Sequence, residues 1–432
     1  MDEPTIQEFK QTEIGLIPED WEVVRLGEIL EEVDIRVKDL KDMRKDVNPE
    51  DLTVLSLTKN YGLIPQARRF KKRIATEDVT NYKVVRKMQI VYNPYVIWEG
   101  AVHALRTMEV GIVSPVYCVW ECKSNVDPSF IDRLLRTPRL LNEYLAKASG
   151  AVNRRRTVSK EDFLDIEIPL PPLEEQCKIA KVLDKIQQAI ELQDGIIEQV
   201  KRLKKALMQK LFTEGLYGEE QKETEIGLIP KSWKVVRLGE VAYNFLGGGT
   251  PSTKKTEYWN GSIPWLTSAY IKEDSIFIDK GERYITEEGL KNSSTQLIPR
   301  HNLLIGTRVG VGKVAINLID IAINQDLTGV IVRKNVVNLE FLAYALLSKK
   351  AQDQFKSKTR GTTIKGIPRA DLKNLLIPLP PLEEQKQIAH ILSTVDRKIE
   401  IEQRKKQLLK ELFKAMLHKL MRGEIRLKEV EI

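Results

Sequence analysis

The most constraining feature of this chain is that it carries one architectural plan twice. The run IPLPPLEEQ begins at Ile168 and begins again, unchanged, at Ile377, 209 positions later. An opening motif, Thr12–Glu28, recurs as Thr224–Glu240 with differences only at positions 19, 20 and 22 of the first copy. A repeat with a period the size of a domain indicates a tandem duplication, not a solenoid of short units.

A long helix is predicted behind each IPLPPLEEQ run, over residues 173–214 and 382–422. Two glutamates lie in the first turn of each, where the helix dipole favours acids, and Gly215 and Gly423 are the matching stop signals. Apolar residues repeat in heptads along one seam of each segment, which is typical of a coiled coil. The apolar seam residues are Ile179, Leu183, Ile186, Ile190, Ile197, Val200, Leu207, Leu211, Ile388, Leu392, Val395, Ile399, Leu409, Phe413, Met416 and Leu420.

The two seams predict an antiparallel pair of helices. One helix of this length, roughly 60 Å at 1.5 Å per residue, cannot bury its own stripe, whereas two in one chain can bury each other's. In full overlap Gln193 meets Glu402 at the middle, and such a polar layer fixes the register at some cost in stability. The alternative is that each helix packs separately on its own domain, but the shared pattern favours the pair.

Composition limits the class of protein. With 432 residues, 42% of them apolar, two or more domains with ample cores are expected. The chain has no run of about 18 uncharged apolar residues for a membrane span, and its acidic, polar start is no signal peptide. Three unpatterned cysteines and four histidines predict reduced thiols in a cytoplasmic protein, with no cofactor and no metal site. The net charge of +8 favours a polyanionic partner only weakly.

The middle segments, residues 29–165 and 241–374, differ strongly between the two copies. Both combine short strands with turns rich in Gly, Pro, Asn and Ser, which predicts an α+β fold with long loops. Recognition commonly resides in such loops. The segments that are alike in both copies therefore indicate a common architecture, and the middle segments, which differ, indicate two different recognition domains. The predicted strands are Leu52–Thr58, Val84–Tyr92, Val110–Trp120, Ile263–Trp265, Ser275–Ile278, Asn302–Ile305, Lys313–Ile316 and Thr328–Val332, and the predicted helices are Pro128–Leu145 and Leu339–Lys350.

No active site is predicted in the chain. Tyr92-Asn93-Pro94-Tyr95 is similar to the Asn-Pro-Pro-Tyr run of amino-methyltransferases, but it lacks the second proline and a preceding Gly-rich turn for S-adenosylmethionine. A strand that ends at a proline turn is therefore favoured. Gly306–Lys313 resembles a phosphate loop, but Thr307 and Val314 occupy positions that need a glycine and a hydroxyl residue. No metal-ligand cluster or acid–base set is found either.

Basic loops are the candidate binding features, and they precede both IPLPPLEEQ runs. Arginine suits guanine edges and phosphates, while lysines and hydroxyls suit the nucleic-acid backbone. Each cluster alone is most simply a solvated surface, but the recurrence favours a nucleic-acid face. The candidates are Lys59, Arg68, Arg69, Lys71, Lys72, Arg73, Arg154, Arg155, Arg156, Lys254, Lys255, Tyr258, Arg308, Lys313, Arg360, Thr362, Thr363 and Lys365.

The duplicated motifs, together with the run Gly248–Ser252 followed by Ile263-Pro264-Trp265, resemble the specificity (S) subunits of type I restriction–modification systems. The resemblance covers essentially the whole chain. It implies two similar α/β target-recognition domains, related by a pseudo-twofold internal repeat and separated by two long antiparallel helices in a coiled coil. It also implies a non-catalytic subunit that reads a bipartite, asymmetric site in double-stranded DNA and docks two methyltransferase (M) subunits and restriction (R) subunits.

The domain boundaries that follow are a first target-recognition domain at 1–167, a helical region at 168–217, a second target-recognition domain at 218–376 and a second helical region at 377–432. Asn324-Gln325 matches a run common in the recognition domains of this family, and the first copy lacks an obvious counterpart. Two other functions stay open. A standalone nucleic-acid-binding or scaffold protein would bring no methyltransferase on purification, whereas an adenine methyltransferase acting through Tyr92–Tyr95 would bind S-adenosylmethionine by itself.

Overall fold

The chain forms two compact units in the computed structural model, which describes residues 8–41, 52–59, 61–69, 78–149, 156–272, 275–361, 365–428 and 430. The first unit comprises residues 1–191 and 408–432, and the second comprises residues 192–407. Each long helix contributes to both units. The units therefore cross the boundaries expected from the sequence, since those boundaries assign each helix to a region of its own.

The described residues of the first unit form twelve strands, the start of the first long helix and the end of the second. Strands β1 to β12 are Phe9–Thr12, Gly15–Pro18, Glu22–Arg25, Leu30–Glu32, Leu55–Thr58, Gly62–Pro65, Lys83–Arg86, Ile90–Tyr92, Val102–Ala104, Val110–Val113, Cys118–Cys122 and Glu167–Leu170. Helices α1 to α6 are Leu26–Ile29, Gln66–Arg69, Pro128–Leu134, Pro138–Lys147, Lys160–Leu164 and Leu173–Glu214, with 3₁₀ turns at Val37–Lys41 and Ile97–Glu99.

The second unit contains the remaining strands and most of the second long helix. Strands β13 to β25 are Gln221–Lys222, Ile229–Pro230, Lys234–Arg237, Ala242–Gly247, Trp259–Leu266, Phe277–Ile278, Arg283–Ile285, Gln296–Ile298, Leu303–Gly306, Val314–Asn317, Ile321–Ile323, Leu327–Val332 and Leu376–Leu379. Helices α7 to α11 are Glu287–Lys291, Leu339–Leu347, Lys349–Lys358, Arg369–Lys373 and Leu382–Met421, with 3₁₀ turns at Leu238–Val241, Thr256–Tyr258 and Ser268–Tyr270.

The same antiparallel sheet lies at the centre of both units. Its strand order is β4-β11-β8-β9 in the first unit and β16-β24-β21-β22 in the second, where β18 is added in parallel beside β22. The first unit supplements this plan with the two-stranded sheets β5-β6 and β7-β10, while the second has a four-stranded sheet, β19-β17-β23-β20. The central plan is therefore common to both copies, and the additions to it are not.

The repeated motifs pair with each other in each unit. Strand β3 of the opening motif pairs antiparallel with β12 of the IPLPPLEEQ run, so that Val24 lies opposite Ile168. Strands β15 and β25 pair in the same register, with Val236 opposite Ile377. Each middle segment thus starts and ends at one two-stranded ladder, which explains why the two motifs are kept together.

A buried tryptophan of the opening motif binds the long helix that follows. The indole N–H of Trp21 donates to the Oε2 atom of Glu175 at 3.0 Å, and that of Trp233 donates to the Oε2 atom of Glu384 at 3.0 Å. Both tryptophans are fully buried. A buried carboxylate requires such donors, because an ionised group left unpaired in the interior costs several kcal/mol, by order of magnitude about 3–5.

The glutamine that ends each IPLPPLEEQ run joins three segments. Gln176 donates its amide to the carbonyl of Pro171 at 2.8 Å and accepts the backbone N–H of Asp127, which caps α3, at 2.9 Å. Gln385 makes the same two bonds, both at 2.8 Å, to the matching proline and to Asn338, which caps α8. The motif therefore ties the first turn of each long helix to the proline run before it and to the cap of a neighbouring helix.

The two long helices run antiparallel in both units, as the seams predicted. In the second unit Gln193 donates to Glu402 and Lys204 pairs with Asp396, so later residues of α6 meet earlier residues of α11. All of the predicted apolar seam residues are buried or half-buried, whereas Leu192, which lies outside the seam, is 68% exposed. No helix in the described part of the chain is both long and apolar enough to cross a membrane.

The predicted polar layer is confirmed at Gln193 and Glu402. The buried carboxylate of Glu402 also contacts Lys398 and Lys405. Hydrogen bonds from Lys398, Gln193 and Lys405, in that order of importance, lower the pKa of Glu402 to about 2 from an ordinary value of 4.5. This layer therefore stabilises the fold fully above about pH 4.5, and its contribution is lost as the pH falls towards 2.

Both predicted stop glycines have the left-handed backbone that ends a helix. The φ angles are +69° at Gly215 and +67° at Gly423. A Cβ atom at Gly423 would stand 2.2 Å from Pro18, and one at Gly215 would stand 2.8 Å from Pro230. Glycine is required at these two positions for its conformation and also because the opening motif packs directly against it.

The predicted helices Pro128–Leu145 and Leu339–Lys350 are each broken in two. The first divides at Pro138, which has no N–H and holds Thr137 in an extended conformation. The second divides at Ser348, whose side chain caps the new helix α9. The apolar pattern continues through both breaks, and for this reason periodicity alone did not locate them.

Two predicted strands are also divided, whereas the others lie within a few residues of their expected places. Val84–Tyr92 turns at Met88, which has a positive φ of 67°, and forms β7 and β8. Val110–Trp120 turns at Ser114–Tyr117, where the N–H of Tyr117 donates to the carbonyl of Ser114 at 3.0 Å. The divided strands join different sheets.

Candidate nucleic-acid interface

Before each IPLPPLEEQ run, two residues that flank a basic segment are paired by backbone hydrogen bonds. In the first unit Ser149 and Thr157 exchange two backbone hydrogen bonds, at 3.1 and 3.0 Å. In the second unit Arg360 and Gly366 exchange two, both at 2.8 Å. We call the stretches bounded by these pairs, residues 149–157 and 360–366, the closed loops; residues 150–155 and 362–364 within them lie outside the described residues.

Each closed loop is fastened to the end of a central strand. The N–H of Val158 donates to the carbonyl of Pro94, just after β8, at 3.1 Å. The N–H of Ile367 donates to the carbonyl of Thr307, just after β21, at 2.8 Å. Because β8 and β21 hold the same position in their sheets, backbone contacts place both closed loops alike, whatever side chains the loops carry.

Two further loops reach this end of the sheet in the second unit. The N–H groups of Thr307 and Arg308 both donate to the carbonyl of Asp326, at 2.8 and 3.3 Å, in the turn between β23 and β24. Gly248 packs on the other side of that turn, since a Cβ atom there would stand 2.2 Å from the carbonyl oxygen of Asn324. Main-chain contacts thus hold four segments together: the closed loop, the loop after β21, the turn between β23 and β24, and the segment with Gly248.

Most of the described candidate cations of the second unit are exposed. Lys254, Arg308 and Lys365 are exposed, and the Arg360 side chain is 73% exposed while it pairs with Asp371 at 2.9 Å. Individual exposed ion pairs of this kind contribute little to stability, roughly 0–1 kcal/mol. Exposed cations on loops held by main-chain contacts are instead suited to bind a polyanion, where their effects add.

Sequence reasoning missed Arg369, which is exposed and begins α10. Its guanidinium lies against the end of β16, since a Cβ atom at Gly247 would stand 2.4 Å from it. The residue lies outside any basic cluster in the sequence. Its position directly after the closed loop is the signal that could have revealed it.

Two of the candidate contact residues, Tyr258 and Lys313, have structural roles. Tyr258 is 5% exposed within an aromatic cluster, so its ring cannot stack on a base; its hydroxyl accepts a bond from the exposed Lys255 at 2.9 Å. The ammonium of Lys313 donates to the carbonyls of Ser268 and Ile271, at 3.2 and 3.0 Å. A charge pattern does not distinguish a surface lysine from one that ties two loops together.

Two described candidates of the first unit, Lys59 and Arg68, lie beside the hairpin of β5 and β6. Lys59 is exposed just after β5, and its carbonyl lies 3.2 Å from the Nε2 atom of the buried His103. Arg68 is exposed in the short helix α2, which Arg69 ends. Tyr61, at the hairpin turn, is 76% exposed. This hairpin has no counterpart in the central plan that both units share.

The remaining candidates are Arg156 and a group outside the described residues. Arg156 is half-buried at the end of the first closed loop. Residues Lys71, Lys72, Arg73, Arg154, Arg155, Thr362 and Thr363, and the side chain of Arg69, lie outside the described residues. Their assignment as contact residues stays a prediction.

The two enzyme-like motifs are local turns. Tyr92 is fully buried and cannot flank a base, while the side chain of Asn93 accepts a backbone N–H in the turn that follows, which confirms the strand that ends at a proline. After Gly306 the chain turns back through Gly310 and Gly312, whose φ angles are +71° and +86°. Within the described ranges, no group of three or more His, Cys, Asp or Glu could hold a metal ion.

The family model described as the type I restriction modification DNA specificity domain matches this chain twice, at residues 18–202 and 230–411. The type I restriction enzyme MjaX specificity subunit of Methanocaldococcus jannaschii is 31% identical, with 98% of this chain and 97% of that subunit covered. The EcoR124I/EcoR124II specificity subunit of Escherichia coli is 29% identical over 59% of this chain and 61% of that subunit.

Two solved structures share the fold. A chain from a structure of a type I R-M system matches with a TM-score of 0.58 at 20% identity, covering 95% of this chain and 99% of that one. The type I restriction–modification S subunit from M. genitalium matches with a TM-score of 0.56 at 14% identity, covering 93% and 96%.

Proposed function

This chain belongs to the family of type I restriction–modification DNA specificity subunits, and we propose that its two units each read one half of a bipartite, asymmetric site in double-stranded DNA. The observation that carries the proposal is the pair of closed loops, which are fastened alike to the ends of β8 and β21. Their sequences and lengths differ. Equivalent placement with different content is what two readers of unlike half-sites require.

Exposed cations support the binding of duplex phosphates. Each lysine or arginine that meets a phosphate releases counterions, so the logarithm of affinity falls with that of salt concentration by about 0.9 per contact. The first unit offers Lys59 and Arg68, and the second offers Arg308, Arg360 and Lys365. Phosphate contacts set the position of the protein, and the variable loops between them are left to contact base edges.

In this proposal partner subunits perform the chemistry. Two methyltransferase subunits dock along the long helices, and restriction subunits join the full complex in the cytoplasm. The identical IPLPPLEEQ start of both helices supports two equivalent docking places. Residues 1–167 and 218–376 then act as the target-recognition domains, and 168–217 and 377–432 act as the helical regions.

Methylation mapping in the source cells tests the proposal. The expected result is one motif with two specified half-sites of different sequence, separated by unspecified bases of fixed number, together with co-purification of a methyltransferase. A continuous motif, or a chain that purifies without a methyltransferase and binds DNA without sequence preference, would overturn the proposal.

Lengthening the helix pair tests the division of roles between helices and readers. One heptad is inserted after Glu191 and another after Gln407, so that both seams keep their period. We expect a longer unspecified spacer with both half-site sequences unchanged. A change in the recognised bases would contradict the assignment of recognition to the middle segments.

A further inference from the structure

The turn between β23 and β24 is stabilised by its own side chains. The side-chain oxygen of Asn324 accepts the N–H of Asp326 at 3.1 Å, and its amide donates to the Asp326 carboxylate at 2.8 Å. The N–H of Leu327 then closes the turn on the carbonyl of Asn324 at 3.2 Å. Gln325 lies between these residues, with an exposed side chain on a backbone that is held at both ends.

The glycine-rich segment before Thr250 holds the same turn from the other side. The N–H of Gly249 donates to the carbonyl of Ile323 at 2.9 Å, and the indole of Trp265 donates to the carbonyl of Gly249 at 3.2 Å. A Cβ atom at Gly248 would stand 2.2 Å from the carbonyl oxygens of Ile323 and Asn324. Only glycine permits this close approach, which brings Thr250 beside Gln325.

One hydrogen bond orients the amide of Gln325. The hydroxyl of Thr250 donates to its Oε1 atom at 2.7 Å. A second lone pair on that oxygen and the two N–H donors of the amide are left available for a ligand. Because the side chain is already oriented, less conformational entropy is lost on binding than for a free glutamine.

The surroundings of Gln325 suit the edge of a base in a charged duplex. Arg308 is exposed and its N–H binds the carbonyl of Asp326, the residue after Gln325. Gly366 of the closed loop packs on the stem of Arg308, since a Cβ atom there would stand 3.5 Å from Cγ. The carboxylate of Asp326 is engaged by Asn324. A directional amide therefore lies on the same connected set of loops as the exposed cations.

The equivalent turn of the first unit has no such amide. The bond from the N–H of Tyr117 to the carbonyl of Ser114 corresponds to the bond from Leu327 to Asn324, so Pro115 stands in the place of Gln325. Proline offers no side-chain hydrogen bond. The amide is thus a feature of the second unit alone and is not needed to form the turn.

We propose that Gln325 reads an adenine in the half-site of the second unit. A glutamine amide can accept from the N6 amino group of adenine while it donates to N7, a pairing that the major groove presents only for this base. Thr250 is a positioning residue, since it acts through the amide. The inference rests on the proposed function, because it requires that the second unit binds duplex DNA.

The test uses the intact chain, with the methyltransferase that purifies with it, and duplexes that carry the mapped site. Each adenine of both half-sites is replaced in turn by 7-deazaadenine, which lacks the N7 acceptor. We expect one position to weaken binding roughly 5- to 150-fold, the range expected for one good base contact. Gln325→Ala should weaken binding to the natural site by a similar factor and show no further loss at that one position.

Two further variants separate base reading from a structural role. Gln325→Glu keeps the shape but removes both amide donors, so the preference for adenine at that position should fall while binding of the other half-site is unchanged. Thr250→Val should cause a smaller loss at the same position, and Thr250→Ser should restore it. Gln296→Ala, at an exposed glutamine of β20 in the same unit, is the matched control and should leave base preference unchanged.

The outcomes distinguish this inference from the proposed function. If the wild-type complex shows no sequence-specific binding, the proposed function fails. If binding is specific but every N7 atom is dispensable, or if the loss from Gln325→Ala adds to the 7-deazaadenine loss at every adenine, the base-reading role is overturned and the proposed function stands.

Discussion

The two units hold their long helices with the same bond but complete it differently. In both, a tryptophan of the opening motif donates to a helix glutamate at 3.0 Å. In the first unit, Glu175 also binds the guanidinium of Arg426 at 2.8 and 2.7 Å. Glu175 accepts the N–H of Leu427 at 3.2 Å as well. In the second unit, the other oxygen of Glu384 accepts the N–H of Leu216 at 3.0 Å. Both carboxylates therefore have a backbone donor, and the first unit adds an ion pair.

A difference within the opening motif accompanies this change. Arg426 also binds both oxygens of Asp20 at 2.8 Å, and Lys428 contacts the same carboxylate at 2.6 Å. Position 20 is one of the three that differ between the copies, and Ser232 occupies it in the second. In the second unit the first long helix is followed by Gly215-Leu216-Tyr217, which carry no cation. The acid is therefore present only in the unit that also has the arginine.

The largest effect is expected when the tryptophan that both units share is removed. Trp21→Ala and Trp233→Ala should each destabilise their own unit by about 3–5 kcal/mol, since each deletes a fully buried ring and a bond to a carboxylate. Urea unfolding followed by hydrogen exchange in each unit would measure this. Trp98→Ala, at a half-buried tryptophan, should lower the free energy of unfolding by less. If only one of Trp21→Ala and Trp233→Ala caused a large loss, the two tryptophan–glutamate contacts would not be equivalent.

Removing Arg426 should affect the first unit alone. The Glu175 side chain is 2% exposed and that of Arg426 is 17% exposed, so Arg426→Met leaves a buried carboxylate with fewer partners. We expect a loss of about 2–3 kcal/mol, below the 3–5 kcal/mol of a fully buried pair. Arg422→Met removes an exposed pair with Glu424 and should cost at most about 1 kcal/mol. Equal losses would contradict the ion-pair account.

Low pH should weaken the ion pair between Arg426 and Asp20. The hydrogen bond from Arg426 is the main cause that lowers the pKa of Asp20 to about 2 from 3.8. Because the folded pKa is the lower one, this stabilisation is present above about pH 4 and is lost as the pH falls towards 2. Asp20→Ser, which inserts the residue of the second copy, should cost about 1 kcal/mol at neutral pH after allowance for solvent screening, and less near pH 2.

The matched control for this pH effect is Ser232→Asp in the second unit. It should add no stability at any pH, because Gly218 and Glu220 occupy the positions that correspond to Arg426 and Lys428 when counted from the two stop glycines. Thermal unfolding between pH 7 and pH 2 would compare the variants. If Ser232→Asp stabilised the second unit, the stabilising effect of the acid would not depend on Arg426.

The smallest effect per side chain is expected for the exposed cations of the candidate nucleic-acid interface, through the salt dependence of DNA affinity. Alanine at Arg308, Arg360 and Lys365 together should flatten the dependence of log affinity on log salt by up to about three units if all three meet phosphates. Alanine at Arg68, Arg69 and Lys72 should do the same for the first unit. Titrations at several salt concentrations would measure both, and an unchanged slope would remove that set from the DNA-binding surface.

Sequence reasoning was most accurate where a repeat constrains the fold. The seams of α6 and α11 share one heptad register, and a shared register leaves a single full overlap; the pairing of Gln193 with Glu402 followed from this. Local chemistry was harder to predict. Capping by Ser348 and the break at Pro138 end helices within a continuous apolar pattern.

The candidate interface was only partly predictable for a related reason. Basic runs mark exposed loops on average, yet the carbonyls around Lys313 and the cluster around Tyr258 depend on loops distant in sequence. Arg369 was missed because its neighbour, Gly247, is brought to it only by folding. The contact between Thr250 and Gln325 likewise joins residues 75 positions apart.

The ladders of β3 with β12 and of β15 with β25 bring the two ends of each middle segment together. The motifs that bound the two middle segments are identical or nearly identical in amino-acid sequence, so a segment exchanged between them would meet the same ladder. A single exchange between them can install a foreign reader without disturbing the tryptophan bond or the helix pair. One genetic exchange could then change the sequence of one recognised half-site and leave the other unchanged.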